Sequence, residues 1–114
     1  MVHPEYHKVS VFVFNEADEL LLLGDKLHAR FNEAHMSGHN WDALIRRYLD
    51  VTDPDLMQSI ETDPESGMLE AYMPYGPESI EKMTRFESHV RKFVSDETQI
   101  FEFIEAYRGS IEWD

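Results

Sequence analysis

Short apolar segments indicate the first strands of this chain. Residues 8–14 read K-V-S-V-F-V-F, and β-branched and aromatic residues in partial alternation predict a strand. A polar, turn-like stretch over residues 15–18 separates it from a second apolar run at residues 19–23, which ends at Gly24. We therefore predict that the two runs pair as a β-hairpin.

A second hairpin is predicted in the middle of the chain. Residues 60–62 and 68–73 flank the segment Asp63-Pro64-Glu65-Ser66-Gly67. Pro presets the backbone for a turn and Gly tolerates the conformations that close one, so this order favours a reversal of the chain.

Most of the remaining chain has apolar residues three and four positions apart, the spacing that one face of a helix requires. The predicted helices cover residues 25–35, residues 41–49, a short segment after Asp53-Pro54, residues 78–94 and the segment from Asp96 to Gly109. Asn40 and Asp53 are the predicted N-caps of two of them, because short polar side chains accept hydrogen bonds from the first-turn N–H groups. Asp96 with Gln99 resembles a capping box for the last helix.

Together these elements predict one α+β domain over residues 1–114. Its two β-hairpins form an antiparallel sheet with helices packed mainly on one face, in the order β-β-α-α-β-β-α-α. Hydrophobic residues make up 42% of the chain, enough for a core that needs no disulfide or metal. Trp41 is expected in this core, since a Trp at the start of an amphipathic helix is more often an anchor than a contact residue.

Composition restricts the partners and the compartment. The chain has 23 acidic and 10 basic residues, a net charge of −13, which repels nucleic-acid phosphates and anionic membranes and attracts basic proteins. There is no Cys, so disulfide frameworks, zinc–thiolate sites and thiol nucleophiles are excluded. The first eight residues lack the apolar run of a secretory signal, and the expected compartment is the cytoplasm.

The acidic residues are unevenly distributed. Between Arg47 and Lys82 there is no Lys or Arg, whereas the same stretch contains nine acids. A solvated sheet edge would also be acidic, but bases are normally interspersed on such a surface, so we predict a continuous negative face that binds a basic partner. The residues predicted to contact the partner are Asp53, Asp55, Glu61, Asp63, Glu65, Glu70, Tyr72 and Tyr75, the two tyrosines because this residue type is enriched at interfaces.

Catalytic and cofactor motifs are not evident. The sequence has no G-x-S-x-G turn, no phosphate-binding Gly loop and no H-E-x-x-H, and the prediction is a protein without enzymatic activity or cofactor. His28, His35 and His39 are seven and four positions apart, a spacing that a continuous helix would place on one face. Because Ser37-Gly38 interrupts that helix, a metal site is the less favoured interpretation of these three residues.

Two segments carry a family resemblance. Gly38-His39-Asn40-Trp41-Asp42 and Asp63-Pro64-Glu65-Ser66-Gly67-Met68 resemble motifs of the bacterial immunity protein 51 family, with Gly38, Asn40, Trp41 and Gly67 as structural positions. The resemblance runs over residues 9–103. It implies a cytoplasmic immunity protein that binds and neutralises a cognate toxin of a polymorphic or contact-dependent system by stoichiometric protein–protein interaction. The alternatives are an acidic adaptor or regulator of a basic cytoplasmic protein, such as a ribonuclease, and a small His-based metal protein.

Overall fold

The chain folds into one antiparallel sheet and five helices in the computed structural model, which describes residues 2–4 and 7–114. The elements are β1 (Val2–Pro4), β2 (Lys8–Phe14), α1 (Asp18–Arg30), α2 (Gly38–Thr52), α3 (Pro54–Ser59), β3 (Glu61–Pro64), β4 (Met68–Pro74), α4 (Ser79–Ser95) and α5 (Glu97–Tyr107). The sheet has the strand order β1-β2-β4-β3, with every neighbouring pair antiparallel. The predicted α+β class with an antiparallel sheet is therefore confirmed.

The two faces of the sheet differ because side chains alternate along each strand. The valines of β2 and the central apolar residues of β4 are buried in the core: Val9, Val11, Val13, Leu69 and Ala71. Register places Val11 opposite Ala71 and Val13 opposite Leu69, so these residues share one face. The helices α2 and α4 contact this part of the molecule and supply nine of the nineteen other buried core residues that the structure describes.

The helical part of the core follows the predicted periodicity. In α2, Trp41, Leu44 and Ile45 are almost completely buried, and α4 buries Met83, Phe86, Val90 and Phe93 at spacings of three and four. The rings of Tyr48 and Phe93 stack with centroids 4.0 Å apart, which joins the two helices. Burial of each such large apolar side chain stabilises the fold by roughly 1.5–3 kcal/mol.

The first predicted hairpin, and with it the predicted order of elements, is wrong. Residues 19–23 belong to α1, and the strand β2 pairs instead with β1 and β4. Four consecutive leucines are strong helix formers, and Asp18 and Glu19 complement the helix dipole in the first turn. Of the helix predicted over residues 25–35, only residues 25–30 are helical, and they form the second half of this longer helix, which ends at Arg30.

Two of the three predicted caps are found. The carboxylate of Asp53 accepts from the N–H of Leu56, and that of Asp96 accepts from the N–H of Gln99. The third is wrong, because α2 begins at Gly38 and Ser37 caps it by accepting from the N–H of Asn40. Ser37 has the extended backbone that an N-cap needs, while the backbone of Asn40 is already helical.

Candidate functional site: the open face of the sheet

The face of the sheet turned away from the core is the candidate binding surface, and we call it the open face. It carries Lys8, Ser10, Phe12 and Phe14 from β2, Met68, Glu70 and Tyr72 from β4, and Glu61 and Asp63 from β3. None of these residues belongs to the apolar core cluster formed by the described part of the chain. Aromatic residues on a sheet face favour protein recognition, because this residue type is enriched at interfaces.

A cluster of hydrogen-bonded polar side chains lies near the centre of the open face. The ammonium of Lys8 is 2.8 Å from Glu70 Oε2, and the Ser10 hydroxyl donates a 2.6 Å hydrogen bond to the same oxygen. Burial favours the neutral acid, but the hydrogen bonds from Lys8 and Ser10 outweigh it and hold the pKa of Glu70 below its usual range. Glu70 is thus compensated within the protein, and Ser10 is fully buried with its hydroxyl satisfied.

The edge of the open face is different, because its acids are not compensated. Glu61 lies opposite Tyr72 and Asp63 lies opposite Glu70 in the register of β3 and β4. Both acids are exposed, and among residues 2–4 and 7–114 no Lys or Arg forms an ion pair with either of them. The Glu61 carboxylate, with burial and Asp63 adding to it, raises the pKa of the Tyr72 phenol, so this hydroxyl remains a hydrogen-bond donor.

Aromatic residues occupy the other end of the open face. The rings of Phe12 and Phe14 stack with centroids 6.1 Å apart, and 56% of Phe14 is exposed. Our sequence reasoning missed these two residues as contact candidates. The signal was present in residues 8–14, where the valines alternate with Ser and Phe, so that burying one set exposes the other.

Other predicted contact residues lie near the ends of β4. Glu65 is exposed in the turn between β3 and β4, where its N–H donates to the carbonyl of Met68. Tyr75 follows β4 and is 58% exposed, and its N–H donates to the carbonyl of His7. The structure therefore brings Glu61, Asp63, Glu70 and Tyr72 onto one face and places Glu65 and Tyr75 just beyond the two ends of β4.

Asp53 and Asp55 lie apart from this group, on the helical side. Asp53 Oδ2 is 3.0 Å from both Arg85 Nε and His89 Nε2. Burial opposes ionisation, but the hydrogen bonds from His89, from the backbone of Leu56 and from Arg85 lower the pKa of Asp53. This carboxylate joins α3 to α4, whereas Asp55 is exposed in the first turn of α3.

The negative surface predicted from the sequence is consequently interrupted. Basic residues outside the acidic stretch reach into it, as Lys8 does at Glu70 and Arg85 does at Asp53. Arg46 donates to the Thr62 hydroxyl at 3.0 Å. Among the described acids of this stretch, Glu61, Asp63 and Glu65 on β3 and its turn have no basic partner, and neither do the exposed Asp50 and Asp55 on the helical side.

The motif positions hold the acidic turn against the scaffold. Gly38 lies so close to the backbone of the turn that a Cβ there would overlap the carbonyl oxygens of Glu65 and Met68. Its N–H donates to the Ser66 carbonyl at 2.9 Å, and from the opposite side the N–H of Asn15 donates to the Gly67 carbonyl at 3.2 Å. The turn is thereby fixed to the start of α2 and to the end of β2.

Two further motif residues organise the start of α2. The Asn40 amide donates to the His35 carbonyl at 2.7 Å and accepts from the N–H of Asp114 at 2.6 Å, so it binds the loop before α2 and the C-terminal segment. Trp41 is completely buried. Both residues support the scaffold beneath the open face.

The three histidines do not converge on one point. The rings of His28 and His35 are in contact, with centroids 4.0 Å apart, but His39 lines a different cavity together with Asp42 and Arg46. Among the residues that the structure describes, no group of three or more His, Cys, Asp or Glu is arranged to hold a metal ion. The metal interpretation of the spacing therefore has no geometric support.

Comparison with known proteins identifies a family. A family model described as Immunity protein 51 matches residues 10–109, most of the chain, including both motif segments and the whole of β3 and β4. Neither a curated protein nor a solved structure matches the chain.

Proposed function

Because the chain belongs to the Immunity protein 51 family, we propose that it binds a cognate bacterial toxin and neutralises it stoichiometrically, without turnover. The family match is the observation that carries this proposal. The open face supports it, since it carries the exposed ring of Phe14 and the partly exposed rings of Phe12 and Tyr72, and aromatic residues are enriched at interfaces. The acids without a basic partner on β3 can steer a cationic protein toward this face. None of the helices in the described ranges is long and apolar enough to cross a membrane.

The partner that fits this surface is a basic toxin domain. Glu61, Asp63 and Glu65 produce a local negative field that steers a cationic protein toward the sheet edge. Tyr72, Phe12 and Phe14 supply the area that a stable complex must bury, because aromatic side chains lose little conformational entropy when they are fixed. The same field disfavours nucleic acid as a direct ligand. With no Cys in the chain, we place the complex in the reducing cytoplasm.

The decisive experiment compares two charge-reversed proteins in their association with the product of the adjacent gene. One carries Glu61→Lys, Asp63→Lys and Glu65→Lys at the sheet edge. The control carries Asp18→Lys, Glu19→Lys and Glu102→Lys, exposed acids on α1 and α5. Each set raises the net charge of −13 by six, so only position distinguishes them.

We expect the edge variant to associate at least about tenfold more slowly than the wild type at low salt, and the control variant to change much less. Added salt should reduce the difference, because screening weakens steering. Equal association rates for the two variants would contradict this placement of the interface. A wild-type protein that does not bind the adjacent gene product would contradict the proposed function itself.

A further inference from the structure

The strand β3 has a strand neighbour on one side only. Its inner side pairs with β4, and in the described ranges no strand lies on its outer side, because the strand order ends with β3. At Pro64 the strand lines a hollow of about 430 Å³ between α2 and the C-terminal segment. Space is therefore available beside the outer edge of β3.

The register determines which main-chain groups of β3 point toward that outer edge. In an antiparallel pair, opposed residues that exchange hydrogen bonds alternate with opposed residues that do not. The N–H of Glu65 donates to the carbonyl of Met68 at 2.7 Å, so Glu65, Asp63 and Glu61 are the residues that bond to β4. The main-chain groups of Thr62 and Pro64, which alternate with them, consequently point outward.

These outward groups are available to a partner. The N–H of Thr62 has no acceptor in the part of the chain that the structure describes, and no described donor reaches the carbonyls of Thr62 and Pro64. Pro64 has no N–H, which agrees with its position, since Pro within a sheet is confined to places where no ladder hydrogen bond is needed. The outer edge thus offers one donor and two acceptors of the main chain.

Charge selects the kind of strand that this edge can accept. Glu61 and Asp63 are two positions apart on the open face, and both are exposed without a basic partner among the described residues. Directly opposed residues of neighbouring strands interact, so that opposite charges stabilise the pair and like charges destabilise it. The residue between the two opposed positions would face the same side as Thr62, whose hydroxyl accepts from Arg46 at 3.0 Å, so a third base is disfavoured there.

We propose that the toxin adds a strand to the outer edge of β3, with two basic side chains opposite Glu61 and Asp63, an inference that rests on the proposed function. This strand runs antiparallel to β3, as every described neighbouring pair in the sheet does, so its central residue exchanges both main-chain hydrogen bonds with Thr62. The main-chain bonds supply affinity, and the two ion pairs select a cationic strand. Because β3 has only four residues, the added strand extends the open face as one part of a larger interface.

The first test uses the isolated protein and a peptide with blocked ends and the sequence T-K-V-K-T, followed by NMR of the Thr62 amide. A matched peptide with N-methylvaline at its centre has the same charge but lacks the central N–H. We expect a saturable shift with a dissociation constant of about 1–10 mM for the first peptide, and at least about fivefold weaker binding of the methylated one. Equal binding of the two peptides, or the lack of a saturable shift at Thr62, would overturn the proposal.

The second test uses the toxin complex and two substitutions of one residue. Thr62→Pro removes the outward N–H at a position where an edge strand tolerates Pro, whereas Thr62→Val keeps this N–H and removes only the hydroxyl. The Thr62→Pro complex should dissociate at least about tenfold faster than the Thr62→Val complex, because only the former lacks a main-chain donor. Equal dissociation rates of the two complexes would overturn the proposal.

Hydrogen exchange in the wild-type complex gives the answer even if Thr62→Pro does not fold. The N–H of Thr62 should exchange at least about tenfold more slowly in the complex than in the free protein, while the N–H of Glu19, in the uncapped first turn of α1, should not change. A complex that leaves the exchange at Thr62 unchanged would overturn the strand addition, although toxin binding through the side chains of the open face would stand. The peptide titration needs no toxin, so its failure is also distinct from a failure of the proposed function.

Discussion

Acidic residues have different surroundings in two regions of the molecule. In the α1 and α5 regions they form ion pairs with bases, whereas at the edge of the sheet they do not. Across the helices, Lys26 pairs with Glu97 at 3.2 Å, Arg30 pairs with Glu105, and Arg108 pairs with Glu33 at 2.7 Å. At the sheet edge, Glu61, Asp63 and Glu65 have no basic partner in the described ranges.

The comparison shows that local ion pairing, and not the total charge of the chain, determines whether an acid stabilises the fold or remains available to a partner. A chain with only 10 bases cannot compensate 23 acids, so the location of the bases determines which acids remain available. On the helical side they serve the fold, because each pair links segments that are distant in sequence. At the sheet edge the uncompensated field extends into solvent and can act on a partner.

The largest effect should come from breaking the attachment of the acidic turn. Gly38→Ala should destabilise the protein by about 3 kcal/mol or more, because the added Cβ meets two backbone carbonyls that cannot move aside. The variant should also lose affinity for the partner, since the turn must shift. Urea unfolding followed by circular dichroism measures the first effect.

Gly109→Ala is the control for this substitution. A Cβ at Gly109 has nothing within 4 Å, so the unfolding midpoint should stay close to that of the wild type. If Gly38→Ala and Gly109→Ala unfold at the same urea concentration, the close approach of Gly38 to the turn is wrong.

A smaller and more informative effect is expected from neutralising one acid in each region. Glu33→Gln should lower the melting temperature by roughly 2 °C and leave association unchanged, because it breaks the pair with Arg108. Asp63→Asn should slow association severalfold and leave the melting temperature unchanged or higher. Thermal denaturation and stopped-flow association measure the two properties. The contrast between the regions is refuted if both variants change the same property.

The Glu33 effect has a defined pH dependence. The hydrogen bond from Arg108 is the main cause that lowers the pKa of Glu33 in the folded state. A lowered folded pKa contributes stability above the ordinary value of the acid, and that stability is lost as pH falls through the folded pKa. The difference in stability between wild type and Glu33→Gln should therefore be largest at neutral pH and disappear in acid.

The smallest effect has the opposite sign and concerns an acid beneath β3. Burial raises the pKa of Asp42, and hydrogen bonding to Thr62 with the charges of Arg46 and His39 only partly opposes this. A raised folded pKa favours the protonated acid, so stability is lost as pH rises from the ordinary value through the folded pKa. The Asp42→Asn variant should therefore be at least as stable as the wild type at neutral pH. At acidic pH its free energy of unfolding should not exceed that of the wild type. Free energies of unfolding of both proteins between roughly pH 3 and 7 measure this difference. A variant that is more stable than the wild type only at acidic pH would contradict the prediction.

Much of the fold was readable from local patterns. The helices α2, α4 and α5 and the hairpin of β3 and β4 follow periodicity and turn residues that sit close together in sequence. The two errors at the start of the chain have local causes. A run of four leucines fits a buried strand or a helix equally well, and β1 has only three residues, too few for a pattern.

The candidate site was readable only in part. The alternation of side chains along a strand is enough to place Glu61 and Asp63 on one face. The turn residues that follow predict that this strand lies next to β4. The compensation of Glu70 by Lys8 and of Asp53 by Arg85 joins residues that are 62 and 32 positions apart, so it depends on tertiary structure.

The position of β3 at the border of the sheet has a consequence for how copies of this protein meet one another. A border strand offers unpaired backbone groups to any other strand and is a common starting point for aggregation. Here that strand has four residues, ends at Pro64 and carries two exposed carboxylates. Two copies that approach along it bring like charges together, so the residues we expect to attract a cationic toxin also keep the protein from polymerising with itself at high concentration.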